Sequence, residues 1–354
     1  MSSRAMEGTP LAQLVRMAIP LCRQAQQRCP RTGPGRPPDY DDWIIAIFIM
    51  VAILKKRKSK SAQYRFLSQH QAEFKRWLPL KRIPARSSYF ARYHQAHRLF
   101  EVAIALQGQQ ALAEGVTSAE TVAVDKTLFA ARGPCRHRRQ GQPSRTRRGV
   151  DEQADWGYSD YHKWAYGYSM ETVVSATKDA LVFPLLASVA TASESECHSV
   201  LDKLSHLPDQ TRYVLVDRAY DSNRVGEAVE YTSDGTPTGR HLVYPLIGRA
   251  GKPKVGRCPQ RGRREQLRRR RQKRLAFFES PQGRKLYAQR SKSVEPFHEW
   301  FKNRFELNER VWHRGLANNQ TQLLAAMFGY QLLVRYNHHH GQNNGQIQWI
   351  LDTM

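Results

Sequence analysis

Acidic residues are scarce in this chain. Thirty-one Asp and Glu stand against 56 Lys and Arg, a net charge of +25 over 354 residues. An excess of that size argues for a polyanionic partner, bound through phosphate neutralisation and counterion release. Long apolar runs are missing as well. An anionic membrane surface is the competing polyanion, but the longest run, Trp43 to Leu54, is roughly a dozen residues against the ~20 that span a bilayer, so it reads as a buried helix and no membrane partner is expected. No signal-peptide pattern opens the chain, because Glu7 and Pro10 precede any apolar stretch, and the expected location is the bacterial cytoplasm, at the nucleoid.

Cysteine is also sparse. Cys22, Cys29, Cys135, Cys197 and Cys258 form no Cys-x-x-Cys pair and no Cys/His zinc spacing, which excludes a zinc ribbon or a redox motif and predicts reduced, structurally minor thiols. Gly-x-Ser-x-Gly and Walker-type phosphate loops are absent, and no Cys has a poised His partner, so nucleophilic Ser or Cys chemistry and P-loop nucleotide hydrolysis find no support. What is present is 40% hydrophobic content, enough to build real cores.

The apolar pattern divides the chain. From Leu11 to about Ala113 the spacing is helical, broken by Pro and Gly between Pro30 and Pro38. Asp39, Asp41 or Asp42 is placed to cap the Trp43 to Leu54 helix, and Ser59 opens the next. Ile83 to Tyr93 places Pro84 and Ser87-Ser88 ahead of a basic aromatic helix, the pattern of a capped DNA-recognition helix, with Arg86 and Arg92 as its phosphate contacts. An ordinary helical hairpin with a basic face is the alternative.

Past Glu120 the pattern becomes mixed. Thr121 to Leu128, Trp164 to Ser175, Ala180 to Val189, Arg212 to Asp217 and His241 to Ile247 read as strands, while Glu196 to Leu207 and Val225 to Val229 have helical spacing. The prediction is an α/β fold, a mixed sheet flanked by helices and preceded by an all-helical N-terminal domain: a helical DNA-binding domain over 1–115 and a catalytic domain over 116–345. Two basic insertions, at about 132–148 and 249–285, lack an apolar period. The unbroken run Arg268, Arg269, Arg270, Arg271 reads as a mobile tract that meets nucleic acid. His338 to His340 reads as a solvated surface tract.

Against this basic background three acids stand out: Asp125 in Thr-Val-Ala-Val-Asp-Lys-Thr, Asp217 in Tyr-Val-Leu-Val-Asp-Arg-Ala-Tyr-Asp-Ser, and Glu295 in Ser-Val-Glu-Pro-Phe. Two of them close apolar strand-like runs, where an unpaired carboxylate costs several kcal/mol or shifts its pKa unless it is held for a purpose. Metal coordination is one such purpose. Hard divalent ions prefer carboxylate oxygens, and two of them ~4 Å apart can activate a nucleophile and stabilise the leaving oxygen in phosphodiester displacement. Asp221 and Glu299 are the nearest rivals as ligands, although Asp221 also suits a helix cap. His162 and His198 are candidate neighbours of the site, with a structural role the commoner one for such residues.

Several of these pieces resemble the DDE transposases of bacterial insertion sequences. Val124-Asp125-Lys126-Thr127 is similar to that family's first-strand aspartate, Leu215 to Ser222 to its second motif, and Val294-Glu295-Pro296-Phe297 with Phe301-Lys302 to its glutamate helix; Arg314-Gly315-Leu316 and the segment ending Arg335-Tyr336-Asn337 also fit. The resemblance covers about Thr121 to Tyr336. It implies an RNase H-like catalytic domain, Asp125, Asp217 and Glu295 as ligands of Mg²⁺ or Mn²⁺, and cleavage at element ends followed by strand transfer into target DNA. It also implies double-stranded DNA as partner and a homodimer or higher oligomer when two ends are paired. A metal-dependent nuclease of the same fold, or a non-catalytic nucleic-acid-binding relative, are the alternatives. Family members often carry a Tyr-x-x-Arg-x-x-x-Glu-x-x-x-x-x-x-Lys signature, met here by Tyr287, Arg290, Glu295 and Lys302 with one extra residue after Arg290. On a regular helix a seven-residue step keeps Lys302 on the face of Glu295, whereas the five-residue step turns Arg290 away unless the segment before Pro296 is irregular.

Overall fold

The computed structural model describes residues 9–30, 39–135, 148–159, 163–245, 261–342 and 345–354. Helices α1 (Pro10–Arg28), α2 (Asp42–Leu54), α3 (Lys60–Gln69), α4 (Gln71–Trp77), α5 (Arg86–Tyr93) and α6 (His97–Ala113) come first. Then follow β1 (Thr121–Ala130), β2 (Asp155–Ser159), β3 (Lys163–Ser175), β4 (Pro184–Thr191), the short helices α7 (Glu196–Ser199) and α8 (Leu201–Leu204), β5 (Tyr213–Leu215), α9 (Asn223–Glu230) and β6 (His241–Val243). Helices α10 (Arg261–Glu279), α11 (Pro281–Arg304), α12 (Leu316–His339) and α13 (Gln348–Thr353) complete the chain. The result is a mixed α/β fold. No described helix is long and apolar enough to cross a membrane.

The helix expected at Trp43 to Leu54 forms, and every one of those residues is buried. Asp41 is its N-cap residue but caps no backbone amide; its carboxylate accepts instead from the Trp43 indole at 3.1 Å. Helix α2 packs between α1 and α12. Helix α12 carries an equally continuous buried stretch, Thr321 to Asn337, and touches α6 on one side and β4 on the other. Polar side chains fix this central helix. Gln331 Nε2 donates to the carbonyls of Ile104 (3.0 Å) and Pro184 (2.8 Å), and Arg335 pairs with Glu114 and donates to Gln107 Oε1 (2.9 Å). The six N-terminal helices therefore share one hydrophobic core with α12 and the sheet.

In the sheet β3 runs antiparallel to β1 and β4, while β5 and β6 run parallel to β1, so that β1 and β5 are central. Strand β2 pairs with the outer half of β3. Several expected bounds move. Residues Glu196 to Leu207 form two short helices rather than one, and β6 stops at Val243; Ile247 lies outside the described residues. The histidines at 338–340 lie at the end of α12, with His339 and His340 exposed: His339 Nε2 meets Glu114 at 3.0 Å, and the His340 ring stacks on Tyr336.

The largest correction concerns the arginine run. It lies in α10, a helix packed on the sheet edge, not in a free tract. Arg270 pairs with Glu227 (3.3 Å) and lies over the Tyr231 ring; Arg271 pairs with Asp221; buried Arg274 grips Glu230 through two bonds of 2.7 and 2.8 Å. The ring of Phe277 stacks with those of Tyr213 on β5 and His241 on β6. Gly226 on α9 makes this docking possible, since a Cβ there would stand 2.2 Å from the Arg274 guanidinium. Three acids spaced along one turn and helix thus neutralise three arginines of the run and its extension, a pairing across more than 40 residues that a charge count does not reveal. Residues 249–260, also expected in this insertion, and 136–147 of the first insertion lie outside the described residues.

Candidate active site

Asp125 sits midway along β1 rather than near its end, because the strand continues to Ala130. Its partner across the antiparallel pair is Thr172 of β3. On the other side, the parallel register with β5 runs Thr121 to Tyr213, Val122 to Val214 and Ala123 to Leu215. Carried two residues further, it sets Asp217 abreast of Asp125 and on the same face, since side chains alternate with a period of two. The two acids, 92 positions apart, come close enough for the Asp217 charge to act on the Asp125 carboxyl. Asp217 follows the last β5 pair and accepts at Oδ1 from the Ala219 amide, so its carboxylate caps the 3₁₀ turn Arg218–Tyr220.

Helix α11 supplies the third acid. It starts at Pro281, capped by Ser280 Oγ on the Gly283 amide (3.0 Å), and runs through Pro296. Arg290, Val294, Phe297, His298, Phe301 and Lys302 are buried on the face toward the sheet. The extra residue between Arg290 and Glu295 does not separate them. Arg290 Nη1 donates to Glu295 Oε1 at 2.9 Å while Nη2 meets Asp125 Oδ1 at 2.9 Å, so one planar guanidinium joins the first and third acids. The long arginine side chain spans the turn that backbone phase alone opens. Glu295 itself is half exposed, at 53% of its side chain, whereas Asp125 keeps 18%.

Burial pushes the Asp125 carboxyl up to about 7; the Arg290 charge and the Lys126 amide oppose the rise, and Asp217 and Glu196 add to it. Burial likewise raises the Tyr287 hydroxyl, countered by Arg290, with Asp217, Glu295 and Asp125 all contributing. The same three acids raise Arg290 against the effect of its burial. Tyr287 and Arg290 therefore lie within the field of all three predicted acids. Among the described residues, no group of three or more His, Cys, Asp or Glu stands close enough to hold a metal ion with the side chains in these positions, in which the guanidinium engages two of the carboxylates.

Other neighbours were not foreseen. His298 lies 3.9 Å from Asp125 Oδ2 through Nδ1 and shares a hydrogen bond of 2.8 Å between Nε2 and Thr172 Oγ1. Burial, with the charges of Lys302 and Arg290, lowers it to about 3, so it is a neutral neighbour and no counter-ion. On the opposite face of β1, Lys126 pairs with Glu196 (3.3 Å) and donates to the Glu194 carbonyl (2.9 Å). Beside it Glu171 is buried, bound by Lys203 (2.6 Å), Ser199 Oγ (2.9 Å) and the Tyr220 hydroxyl (3.0 Å). The sequence signal for Lys126 was alternation, since the residue after Asp125 on a strand faces the other side of the sheet; Glu171 is its cross-strand partner, which only the pairing reveals.

The remaining predicted residues scatter. Lys302 is buried over the Phe129 ring at 5.0 Å, and burial lowers it to about 8. Arg92 is buried, donating to the Tyr40 carbonyl at 2.6 Å and pairing with Asp42, and so holds α5 to α2 rather than facing outward. Arg86 is exposed and donates to Ser61 Oγ (3.1 Å). Neither Ser87 nor Ser88 caps α5; Ala85 is its N-cap, without a side-chain bond. Arg268 and Arg269 are exposed, the latter paired with Glu265 at 3.2 Å. Asp221 is no helix cap: it accepts from Tyr244 (2.9 Å) and Arg271, while Ser222 caps α9. His198 is exposed beside Glu194, Glu299 is exposed on α11, and His162 lies outside the described residues.

Asp125 on the central strand β1, Asp217 just past β5, and Glu295 with Arg290 on α11 thus form one charged cluster at the sheet. Residues 117–332 match the family model "Transposase DDE domain", more than half of the chain, and the protein belongs to that family. No curated protein matches the chain. Among solved structures, a piggyBac transposase synaptic complex with hairpin DNA, determined by cryo-electron microscopy, is similar at 10% sequence identity and a TM-score of 0.40, over 98% of this chain and 78% of that one.

Proposed function

We propose that the protein cuts DNA at the ends of a mobile element and joins the freed 3′-hydroxyl to target DNA, with Asp125, Asp217 and Glu295 as its catalytic acids. The observation that carries this reading is Arg290 binding both Asp125 and Glu295, with Asp217, just past the end of the β1–β5 pairing, close enough for its charge to raise the Asp125 carboxyl. The family model supports it from an independent direction. The donor set suits Mg²⁺ or Mn²⁺: three carboxylates and no sulfur, one of them raised by burial, so that a bound cation would favour its ionised form. Such an ion, when bound, supplies the charge that polarises the phosphodiester and lowers the pKa of the attacking hydroxyl. The chain's own residues have separate tasks. Asp125 and Asp217 are held by the sheet, Glu295 is free to turn inward from the helix surface, and Arg290 keeps the two outer acids together.

The mixed sheet, with β3 the strand antiparallel to β1 and its parallel neighbours, supports an RNase H-like reading of residues 116–345, with residues 1–115 as the DNA-binding part. Lys302, Tyr287, Arg86 and Arg268 remain proposed DNA contacts; Arg92, Arg269, Arg270, Arg271 and Arg290 would have to leave their carboxylate partners to become so. A homodimer or higher oligomer would pair two element ends. The test is cleavage of labelled duplexes carrying those ends, with Mg²⁺ or Mn²⁺. Nicking by the parent that disappears in Asp217→Asn while DNA binding persists supports the reading; binding with no cleavage by the parent under either metal overturns it in favour of a binding protein.

A further inference from the structure

A second cationic feature lies away from the acids. Between the N-terminal helices and the start of α12 is a pocket of about 460 Å³ lined by Ser59, Lys60, Ser61, Phe90, Arg132, His313, Arg314 and Asn318. Its lining holds three cationic side chains and no carboxylate. They come from three distant parts of the chain: Lys60 from the first turn of α3, Arg132 from just past β1, and Arg314 from just before α12. Each is held in place. Lys60 Nζ donates to Asn318 Oδ1 (3.0 Å) and lies over the Tyr93 ring (5.2 Å), and Arg132 Nη1 donates to the Trp312 carbonyl (2.8 Å). The Arg314 guanidinium lies against Gly133 and Gly149, where an added Cβ would come within 3.5 and 3.0 Å of it.

Burying cationic groups without an anion is unfavourable. Burial lowers the Lys60 ammonium, with no carboxylate opposing, and burial with the charges of Lys60 and Arg132 lowers His313 to about 3. The hydroxyls of Ser59 and Ser61 and the positive end of α3 add donors of the same sign. Planar guanidinia and an ammonium converging on one concave space match the oxygens of a phosphate.

We propose that this pocket grips a backbone phosphate of the DNA duplex, as a contact separate from the carboxylate site. Ala130, at the end of β1, is roughly 17 Å from Asp125 at ~3.3 Å per residue, and Arg132 lies two residues further, so the grip positions the duplex and takes no part in the chemistry. This rests on the DNA-acting reading above.

The test is fluorescence anisotropy of a labelled duplex across a salt series. Each phosphate contact contributes about 0.9 to the slope of log affinity against log salt. Arg132→Gln and Arg314→Gln should each weaken binding on any sequence and lower that slope by about one, while Arg314→Lys retains it and Lys178→Gln, an exposed charge elsewhere, changes nothing. Circular dichroism melts of the variants exclude unfolding as the cause. Parent-like slopes in both glutamine variants overturn the pocket and leave the DNA reading standing. A parent that binds no duplex, but binds inorganic phosphate or a deoxynucleoside monophosphate through these arginines, overturns the DNA assignment and makes the pocket a site for free phosphate.

Discussion

Arg290 joins Asp125 at 2.9 Å, with Glu295 on its other nitrogen, and so acts as the built-in counter-ion of the site. Its removal should move the protonation of Asp125, whose burial already raises it to about 7 while Arg290 holds it down. The carboxylate form is the one cleavage requires, so activity should rise with pH through about 7. In Arg290→Gln that limb should move to higher pH, along with a loss of maximal rate. The pH profile of duplex nicking, parent against variant, measures it; an unmoved limb would mean that Asp125 does not govern the profile.

The same group governs stability. Its folded pKa of about 7 lies above the ordinary Asp value of 3.8, so the protein binds more protons than the unfolded chain between these values. The contribution of Asp125 is full below pH 3.8 and is lost as pH rises through 7. Mn²⁺ should therefore raise the melting temperature by a few degrees at pH 8, and less at pH 6. Differential scanning fluorimetry with Asp125→Asn and Asp217→Asn checks this, both being expected to lose the pH-dependent gain.

Glu171 and Lys203 form a buried pair at 2.6 Å beneath the site. Removing one partner leaves an unpaired buried charge, so Lys203→Met should cost about 3–5 kcal/mol. Lys203→Met with Glu171→Leu should recover much of that loss. Urea unfolding of the parent, single and double variants gives the comparison.

Gly226 lets Arg274 and Glu230 meet, since no Cβ stands in the way. Gly226→Ala should cost about 1–3 kcal/mol through overpacking and loosen α10 from the sheet edge. Limited proteolysis should then cut within 261–279 sooner than in the parent; an unchanged digest would show that the helix docks by its aromatic stack alone.

That Asp125 and Asp217 would lie close together was legible because each follows a run such as Val122 to Val124 or Val214 to Val216, and a carboxylate after such a run conflicts with burial unless something holds it. The α2 helix was legible for the complementary reason: a dozen apolar residues too short for a bilayer have to be covered by protein. Arg290 was misjudged because helix phase describes where a Cβ points, not where a six-atom side chain ends. Arg92 was misjudged because its partner, Asp42, is 50 positions away.

The sequence by itself determined the chemistry on offer: a basic chain with a few acids set against apolar strands, helices first and a mixed sheet after, and no thiol, serine or P-loop alternative. These follow from local pattern, since period, capping and charge act over a few residues. Tertiary structure alone decided which charges are available. It paired the arginines of α10 with Asp221, Glu227 and Glu230, placed Lys126 and Glu171 on the sheet face away from Asp125, and gathered Lys60, Arg132 and Arg314 around one pocket. Whether a cation is neutralised or left facing an open space depends on contacts across tens to hundreds of residues, and those exist only once the core formed by α2, α12 and the sheet has fixed their positions.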